Sequence, residues 1–196
     1  MLTRNHQRKY IDKIKKEAAS QLKKMAAPSS PEDLHRFRVS LKKLKSFGDY
    51  LSASKDKSIF KPLKKLFKRS GKLRDLHNAD LIEEDHFIIS PVTKNKRKQK
   101  FNDACRQFAS DAADHQKCLA KTGKHLLKKI KGVSFDSIQN YFSKEIAAIP
   151  AYLSKNNDDA IHSGRKRLKI LMYLYRMLST SLQKKLNIQI DYLDQL

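Results

Sequence analysis

The sequence contains little glycine, proline or cysteine and no tryptophan. Five glycines and five prolines in 196 residues are too few for the tight turns of an all-β protein, whereas lysine, leucine, alanine and glutamine are abundant. This composition favours an all-α fold. Cys105 and Cys118 belong to one helical pattern, so they could form a disulfide only by breaking that helix. We therefore expect two free thiols.

Acidic residues are also scarce. Lysine and arginine number 43 against 20 aspartates and glutamates, which gives a formal net charge of +23 and an isoelectric point near 10.0. Such a charge favours association with polyanions, and nucleic acid, polyphosphate and anionic lipid are all candidate partners. Net charge alone does not choose among them.

Long apolar runs are absent from the sequence, and so is the apolar segment of a signal peptide at the N-terminus. We therefore expect a soluble, cytoplasmic protein. The sequence also has no P-loop, no nucleophile motif, no acidic cluster for Mg²⁺ and no H-x-x-x-H or C-x-x-C spacing for a metal. These absences predict a binding protein without a cofactor or metal, and not an enzyme.

One segment, residues 34–51, combines a core face with a narrow cationic face. At 100° per residue on a helix, one side carries the apolar residues Leu34, Phe37, Leu41, Leu44 and Leu51. Beside them lies a cationic line made of His35, Arg38, Lys42 and Lys45, which Asp49 prolongs. A solvated helix face usually mixes charges of both signs. This one is almost purely cationic, and we interpret it as an anion-binding surface.

The same pattern recurs at residues 161–178. His162, Arg165 and Lys169 repeat the H-x-x-R-x-x-x-K spacing at a constant offset of 127 residues (162 − 35, 165 − 38 and 169 − 42). The apolar positions repeat at the same offset, as the pairs Leu34 and Ile161, Leu41 and Leu168, Leu44 and Leu171, and Leu51 and Leu178. A lone histidine would suggest only a local hydrogen bond. Its recurrence in one register predicts a functional role for both helices.

At these residues the sequence resembles the CHAD family, the conserved histidine α-helical domain. The family's first motif helix, H-x-x-R-V-x-x-(R/K)-(R/K)-L-(R/K), is matched by His35, Arg38, Val39, Lys42, Lys43, Leu44 and Lys45. Its second motif helix, H-x-x-R-K-x-x-K-x-L-R-Y, is matched by His162, Arg165, Lys166, Lys169, Leu171 and Tyr173. Met172 occupies the position at which the family usually has a basic residue. The L-G-x-x-R-D turn is matched by Gly71, Lys72, Leu73, Arg74 and Asp75, with Ser70 at the usual leucine.

The resemblance implies one domain over residues 1–196, made of two helical-bundle halves related by an internal repeat, at about 1–132 and 133–196. It also implies a non-catalytic module that binds inorganic polyphosphate in the cytoplasm, including on polyphosphate granules. We expect the two motif helices to face one basic groove. The candidate ligands of polyphosphate are His35, Arg38, Lys42, Lys43, Lys45, Arg74, His162, Arg165, Lys166, Lys169 and Arg176.

The helical periodicity and the start and stop signals predict where the helices lie. Ser30 is expected to cap the first motif helix, with Pro31 at its first position, and Pro150 to kink a later helix. The predicted helices are 3–26, 30–51, 59–89, 98–130 with an interruption at Gly123, 135–154, the second motif helix after a cap at 156–159, and one from Leu182 into Ile190. The first half should therefore hold four helices that end near Gly132.

The second half is expected to be incomplete. Gly71 follows His35 by 36 residues (71 − 35), so its counterpart after His162 would fall near position 198, beyond the last residue. Two alternatives remain open. Either the chain is truncated, or a short form covers the exposed face by homodimerisation or rearrangement.

Two other functions remain open beside polyphosphate binding. The first is a basic helical protein that binds nucleic acid weakly and without sequence specificity, which the charge run at residues 94–100 supports. The second is an adaptor for an acidic protein surface. For the polyphosphate interpretation, protonation of the two motif histidines adds charge as the pH falls. We therefore expect tighter binding at pH 6 than at pH 8.

Overall fold

A computed structural model describes residues 4–25, 30–52, 61–86, 90–130, 133–155 and 157–188. Within these ranges the chain is helical and contains no strand, so the predicted all-α class is confirmed. The helices are α1 (Arg4–Lys24), α2 (Pro31–Ser52), α3 (Lys61–His86), α4 (Pro91–Ser110), α5 (Ala112–Ile130), α6 (Phe135–Ala148), α7 (Pro150–Leu153), α8 (Asp158–Tyr175) and α9 (Thr180–Leu186). None of these helices is long and apolar enough to cross a bilayer.

Local signals in the sequence set several helix ends. The Ser30 hydroxyl accepts a hydrogen bond from the Asp33 amide at 3.3 Å and donates one to the Asp33 carboxylate at 3.2 Å, which fixes the start of α2 as predicted. The Asn157 side chain accepts from the Ala160 amide at 2.8 Å and caps α8. Pro150 separates α6 from α7, so the predicted kink is a helix break.

Other boundaries differ from the predictions. The segment predicted as one helix over 98–130 forms two helices: α4 begins at Pro91 after the Ser90 cap, and the break falls at Asp111 instead of Gly123. Gly123 lies buried within α5. The last described helix starts at Thr180 and ends at Leu186, because Asn187 adopts a left-handed backbone with φ 51°. The predictions at Gly132, Asn156 and Ile190 lie outside the described residues.

The chain forms two compact units of interleaved segments. Unit 1 comprises Met1–Asp12, Ser46–Asp56 and Lys124–Leu196, and unit 2 comprises Lys13–Lys45 and Lys57–Gly123. The internal repeat predicted from the sequence instead divides the chain at about residue 132. That division into two repeated halves stays a prediction.

Unit 2 has a core of apolar side chains from α1 to α5. Its buried residues include Ile14, Leu22, Leu34, Phe37, Leu41, Leu44, Leu63, Leu66, Phe101, Phe108 and Leu119. The rings of Phe37 and Phe108 meet edge to face at 5.8 Å between centroids. Helices α3 and α4 pack together, and a 2.5 Å ion pair joins Arg69 of α3 to Asp111 at the end of α4.

Unit 1 is built largely from α6, α7 and α8, which pack on one another. Its buried residues include Phe47, Leu126, Phe135, Ile138, Phe142, Leu168, Leu171, Leu174 and Leu178. Tyr50 and Tyr141 contact edge to face at 4.9 Å between centroids, and the Tyr50 hydroxyl is 3.2 Å from that of Ser137. Of the apolar positions that repeat between α2 and α8, all are buried except Ile161, which is 37% exposed.

Candidate anion-binding site

Helix α8 is held in unit 1 by its apolar side. Leu168, Leu171 and Leu174 are buried there. A Cβ at Gly164 would lie 3.4 Å from the Tyr152 Cβ, an ordinary contact distance, so α7 packs on α8 at this position with room for a Cβ. Arg167 also faces this packed side, where it pairs with Glu145 and lies over the Tyr152 ring at 4.9 Å. The opposite side of α8 faces solvent.

The solvent side of α8, together with the C-cap residue Arg176, carries five of the predicted ligands, which we call the α8 stripe: His162, Arg165, Lys166, Lys169 and Arg176. All five are exposed. None of the ion pairs in the described part of the chain includes the first four of these residues. The part of the stripe from His162 to Lys169 is therefore an exposed cationic surface without ion-pair partners among the described residues.

The spacing of the stripe suits an extended ligand. At a rise of 1.5 Å per residue, His162 and Lys169 are separated by about 10 Å along the helix axis, and His162 and Arg176 by about 20 Å. Arginine can donate a fork of hydrogen bonds to two phosphate oxygens, and lysine acts as a mobile point charge. Together they can follow a strand of negative charge along the helix.

Arg38 of α2 is the counterpart of Arg165. The sequence predicts it as a polyphosphate ligand, but the structure buries its side chain. It is only 6% exposed, and its Nη1 donates to the Phe67 carbonyl and the Ser70 hydroxyl, each at 3.1 Å. Its guanidinium lies 4.4 Å from the centroid of the Phe67 ring. In this structure Arg38 therefore attaches α2 to α3, and its Nη1 donors are already used.

Glycine at position 71 leaves space for this buried guanidinium. A Cβ there would lie 3.2 Å from Arg38 Nη1, so glycine allows this α2 side chain to approach α3 closely. Burial lowers the pKa of Arg38, the positive charge of Arg74 lowers it further, and Asp75 opposes both effects. Arg74, another predicted ligand, is exposed and pairs with Asp75 at 2.6 Å.

The other predicted ligands in unit 2 are less accessible than the α8 stripe, apart from His35. His35 is exposed at the start of α2, whereas Lys42 and Lys45 are half-buried and have contacts of their own. Lys43 is half-buried and pairs with Glu17 at 3.8 Å. Cationic side chains in unit 2 thus take part in packing, and sequence spacing could not reveal this.

The exposure of aromatic side chains and of the start of α4 distinguishes between polyphosphate and nucleic acid as ligands. Every described phenylalanine and tyrosine is buried or half-buried, so the described residues offer no exposed aromatic platform for stacking bases. The first ten residues of α4 are exposed apart from half-buried Arg97, and they contain Lys94, Lys96, Lys98 and Lys100. The charge run at residues 94–100 therefore lies in the first turns of α4.

These features define an all-α protein with an exposed cationic helix face. Across the residues whose side chains are described, no three histidines, cysteines, aspartates or glutamates are grouped as metal ligands. No protein-family model, curated protein or solved structure matches the chain. The resemblance to the CHAD family therefore stays a prediction from the motifs.

Proposed function

We propose that this protein binds a linear polyanion, inorganic polyphosphate, through the α8 stripe and without catalysing a reaction on it. The observation that carries the proposal is the set of four exposed cationic or protonatable side chains, from His162 to Lys169, that have no ion-pair partner among the described residues. An anionic chain laid along α8 would supply the missing counter-charges. The recurrence of the spacing in α2 supports a role in recognition.

Polyphosphate fits this surface better than nucleic acid does. Proteins that bind single strands combine cations with aromatic side chains on which bases stack, and the described part of the chain exposes none. A polyphosphate chain has negative charges but no bases, so arginine and lysine side chains are sufficient to bind its phosphate oxygens. The sequence also predicts one basic groove between the two motif helices. Because these helices contribute to two different units, the groove remains a part of the proposal.

Nonspecific binding of nucleic acid is the second candidate, and the start of α4 favours it. Four lysines lie on an exposed helical segment there, and phosphate contacts alone give salt-dependent affinity without sequence preference. This surface differs from the α8 stripe in having no arginine on its exposed positions. The two candidates therefore predict different effects of substitutions in α8.

Calorimetric titration with long-chain polyphosphate, and separately with duplex DNA at equal phosphate concentration and about 0.15 M salt, tests the proposal. The test variant replaces Arg165, Lys166, Lys169 and Arg176 by glutamine. The control variant makes the same replacement at Lys9, Lys13, Lys16 and Lys23, four exposed lysines of α1 outside the described ion pairs. Both variants lose four positive charges, so general attraction would affect them equally.

We expect the α8 variant to lose most of its polyphosphate affinity and the control to keep it. The slope of log K against log salt should also fall by roughly 3 in the α8 variant, since each phosphate contact adds about 0.7 on a single-stranded polyanion. Equal losses in both variants would assign the affinity to general surface charge and overturn the proposal. Tighter binding of DNA than of polyphosphate would favour the nucleic-acid alternative.

A further inference from the structure

The α8 stripe contains a gap in charge. Lys169 and Arg176 are separated by about 10 Å along the helix axis, more than twice the largest interval of about 4.5 Å between the other neighbouring members of the stripe. Tyr173 lies in that gap. It follows Lys169 by four residues and precedes Arg176 by three, so the three side chains share one helix face.

The Tyr173 hydroxyl is able to donate a hydrogen bond. The side chain is half-buried, and no hydrogen bond in the described part of the chain uses its hydroxyl. The oxygen is also not among the buried polar atoms that lack a partner. A tyrosine on a helix leans towards the preceding turn, which here carries Lys169. The hydroxyl thus has both solvent access and a position along the stripe.

The charges around Tyr173 favour an anion at this position. Burial raises the pKa of Tyr173, and the positive charge of Arg176 opposes that rise. The phenol therefore stays protonated at neutral pH, where it donates to phosphate without adding negative charge.

The α2 helix does not offer the same extension. At the offset of 127 residues, the counterparts of Tyr173 and Arg176 are Ser46 and Asp49 (173 − 127 and 176 − 127). Ser46 is buried, and Asp49 carries the charge that repels phosphate. The feature is therefore particular to α8.

We infer that Tyr173 is a further ligand-contacting residue, which donates a hydrogen bond to a phosphate oxygen between Lys169 and Arg176. This inference rests on the proposed function, and it specifies the ligand: a linear polyphosphate that extends about 20 Å along α8. Such a chain contacts the cations of the first two turns, then the phenol, then Arg176. A chain that covers only His162 to Lys169 does not reach the phenol.

The test compares Tyr173→Phe with Tyr175→Phe by calorimetric titration. Tyr175 is a matched control because it is half-buried on the same helix but lies about 200° away from Tyr173 around the axis. We expect Tyr173→Phe to bind long-chain polyphosphate about tenfold more weakly, equivalent to 1.4 kcal/mol for one hydrogen bond to a charged group. Tripolyphosphate should bind both variants and the parent protein equally.

The outcomes separate this inference from the proposed function. Unchanged affinity of Tyr173→Phe for the long chain, in a protein whose α8 charge variant has lost binding, overturns the role of Tyr173 alone. Equal losses in Tyr173→Phe and Tyr175→Phe also overturn it, because they indicate a general effect on α8. Failure of the parent protein to bind polyphosphate overturns the proposed function itself. Thermal unfolding of both variants checks that the single hydroxyl has not altered the fold.

Discussion

Helices α2 and α8 share one spacing of histidine, arginine and lysine but use the arginine differently. Arg38 of α2 is 6% exposed and is bound to the backbone and side chains of α3, whereas Arg165 of α8 faces solvent. The local pattern therefore specifies which face of a helix carries charge. It does not specify whether another helix covers that face, because packing partners come from distant parts of the chain.

The largest expected difference between the two helices is in stability. Arg38→Ala should lower the free energy of unfolding by about 3 kcal/mol, because it removes two hydrogen bonds from a charged donor and one cation–π contact. Arg165→Ala should change it by less than about 0.5 kcal/mol, as is usual for an exposed site. Urea denaturation of both variants measures the difference. Similar small effects would contradict the structural role of Arg38.

Gly164 in α8 and Gly71 beside Arg38 should respond differently to the addition of a Cβ. Alanine is better than glycine in a helix by about 1 kcal/mol, and the space at Gly164 accepts a Cβ in ordinary contact. Gly164→Ala should therefore stabilise the protein. Gly71→Ala should instead destabilise it by roughly 1 kcal/mol, because the new Cβ displaces the buried Arg38 guanidinium. Thermal unfolding of the two variants gives the sign, and stabilisation by both would show that Arg38 moves freely.

Histidines in the two units should respond differently to acid. His115 of unit 2 is 4% exposed and contacts the Phe108 ring. Burial lowers the pKa of His115, and the positive charge of Arg69 lowers it further. Asp111, Asp114 and a hydrogen bond with the Phe108 backbone oppose this decrease. As the pH falls below about 6.5, the unfolded chain binds a proton that the folded protein does not, so stability decreases.

This effect is measured by urea denaturation at pH 5 and pH 7. The parent protein should lose at most about 1.4 kcal/mol per pH unit through this group. His115→Gln should reduce the dependence on pH, whereas His162→Gln, at an exposed position, should retain it. An unchanged pH profile in His115→Gln would exclude this histidine as the cause.

The smallest expected effect concerns the exposed histidine of α8. From the sequence we expect polyphosphate to bind more tightly at pH 6 than at pH 8, by about twofold for one weak exposed charge pair. His162→Gln should remove most of this difference at constant salt. Titration at both pH values checks it, and a persistent difference would assign the effect to other groups.

The sequence predicted those parts of the fold that depend on neighbouring residues. The start of α2 follows from Ser30, Pro31 and Asp33, and the break between α6 and α7 follows from Pro150. The core face of each motif helix was also correct except at Ile161. These features arise from hydrogen bonds and steric contacts within a few residues.

The features that the sequence missed depend on distant residues. The break at Asp111 has no glycine or proline signal, and its carboxylate is held by Arg69 from α3, which also keeps the pKa of Asp111 below its usual value. Burial of Arg38 likewise requires α3. Of the predicted ligands, those on α8 are exposed as a stripe, but the ones on α2 are mostly engaged in packing.

Under the proposed function, the positive charge from His162 to Lys169 on α8 links ligand concentration to folding. Neighbouring cations at three- and four-residue intervals repel one another and weaken the helix that carries them. A polyanion that binds only the folded protein removes this repulsion and stabilises the fold in proportion to the logarithm of its concentration. The melting temperature of this protein would then report how much polyphosphate surrounds it.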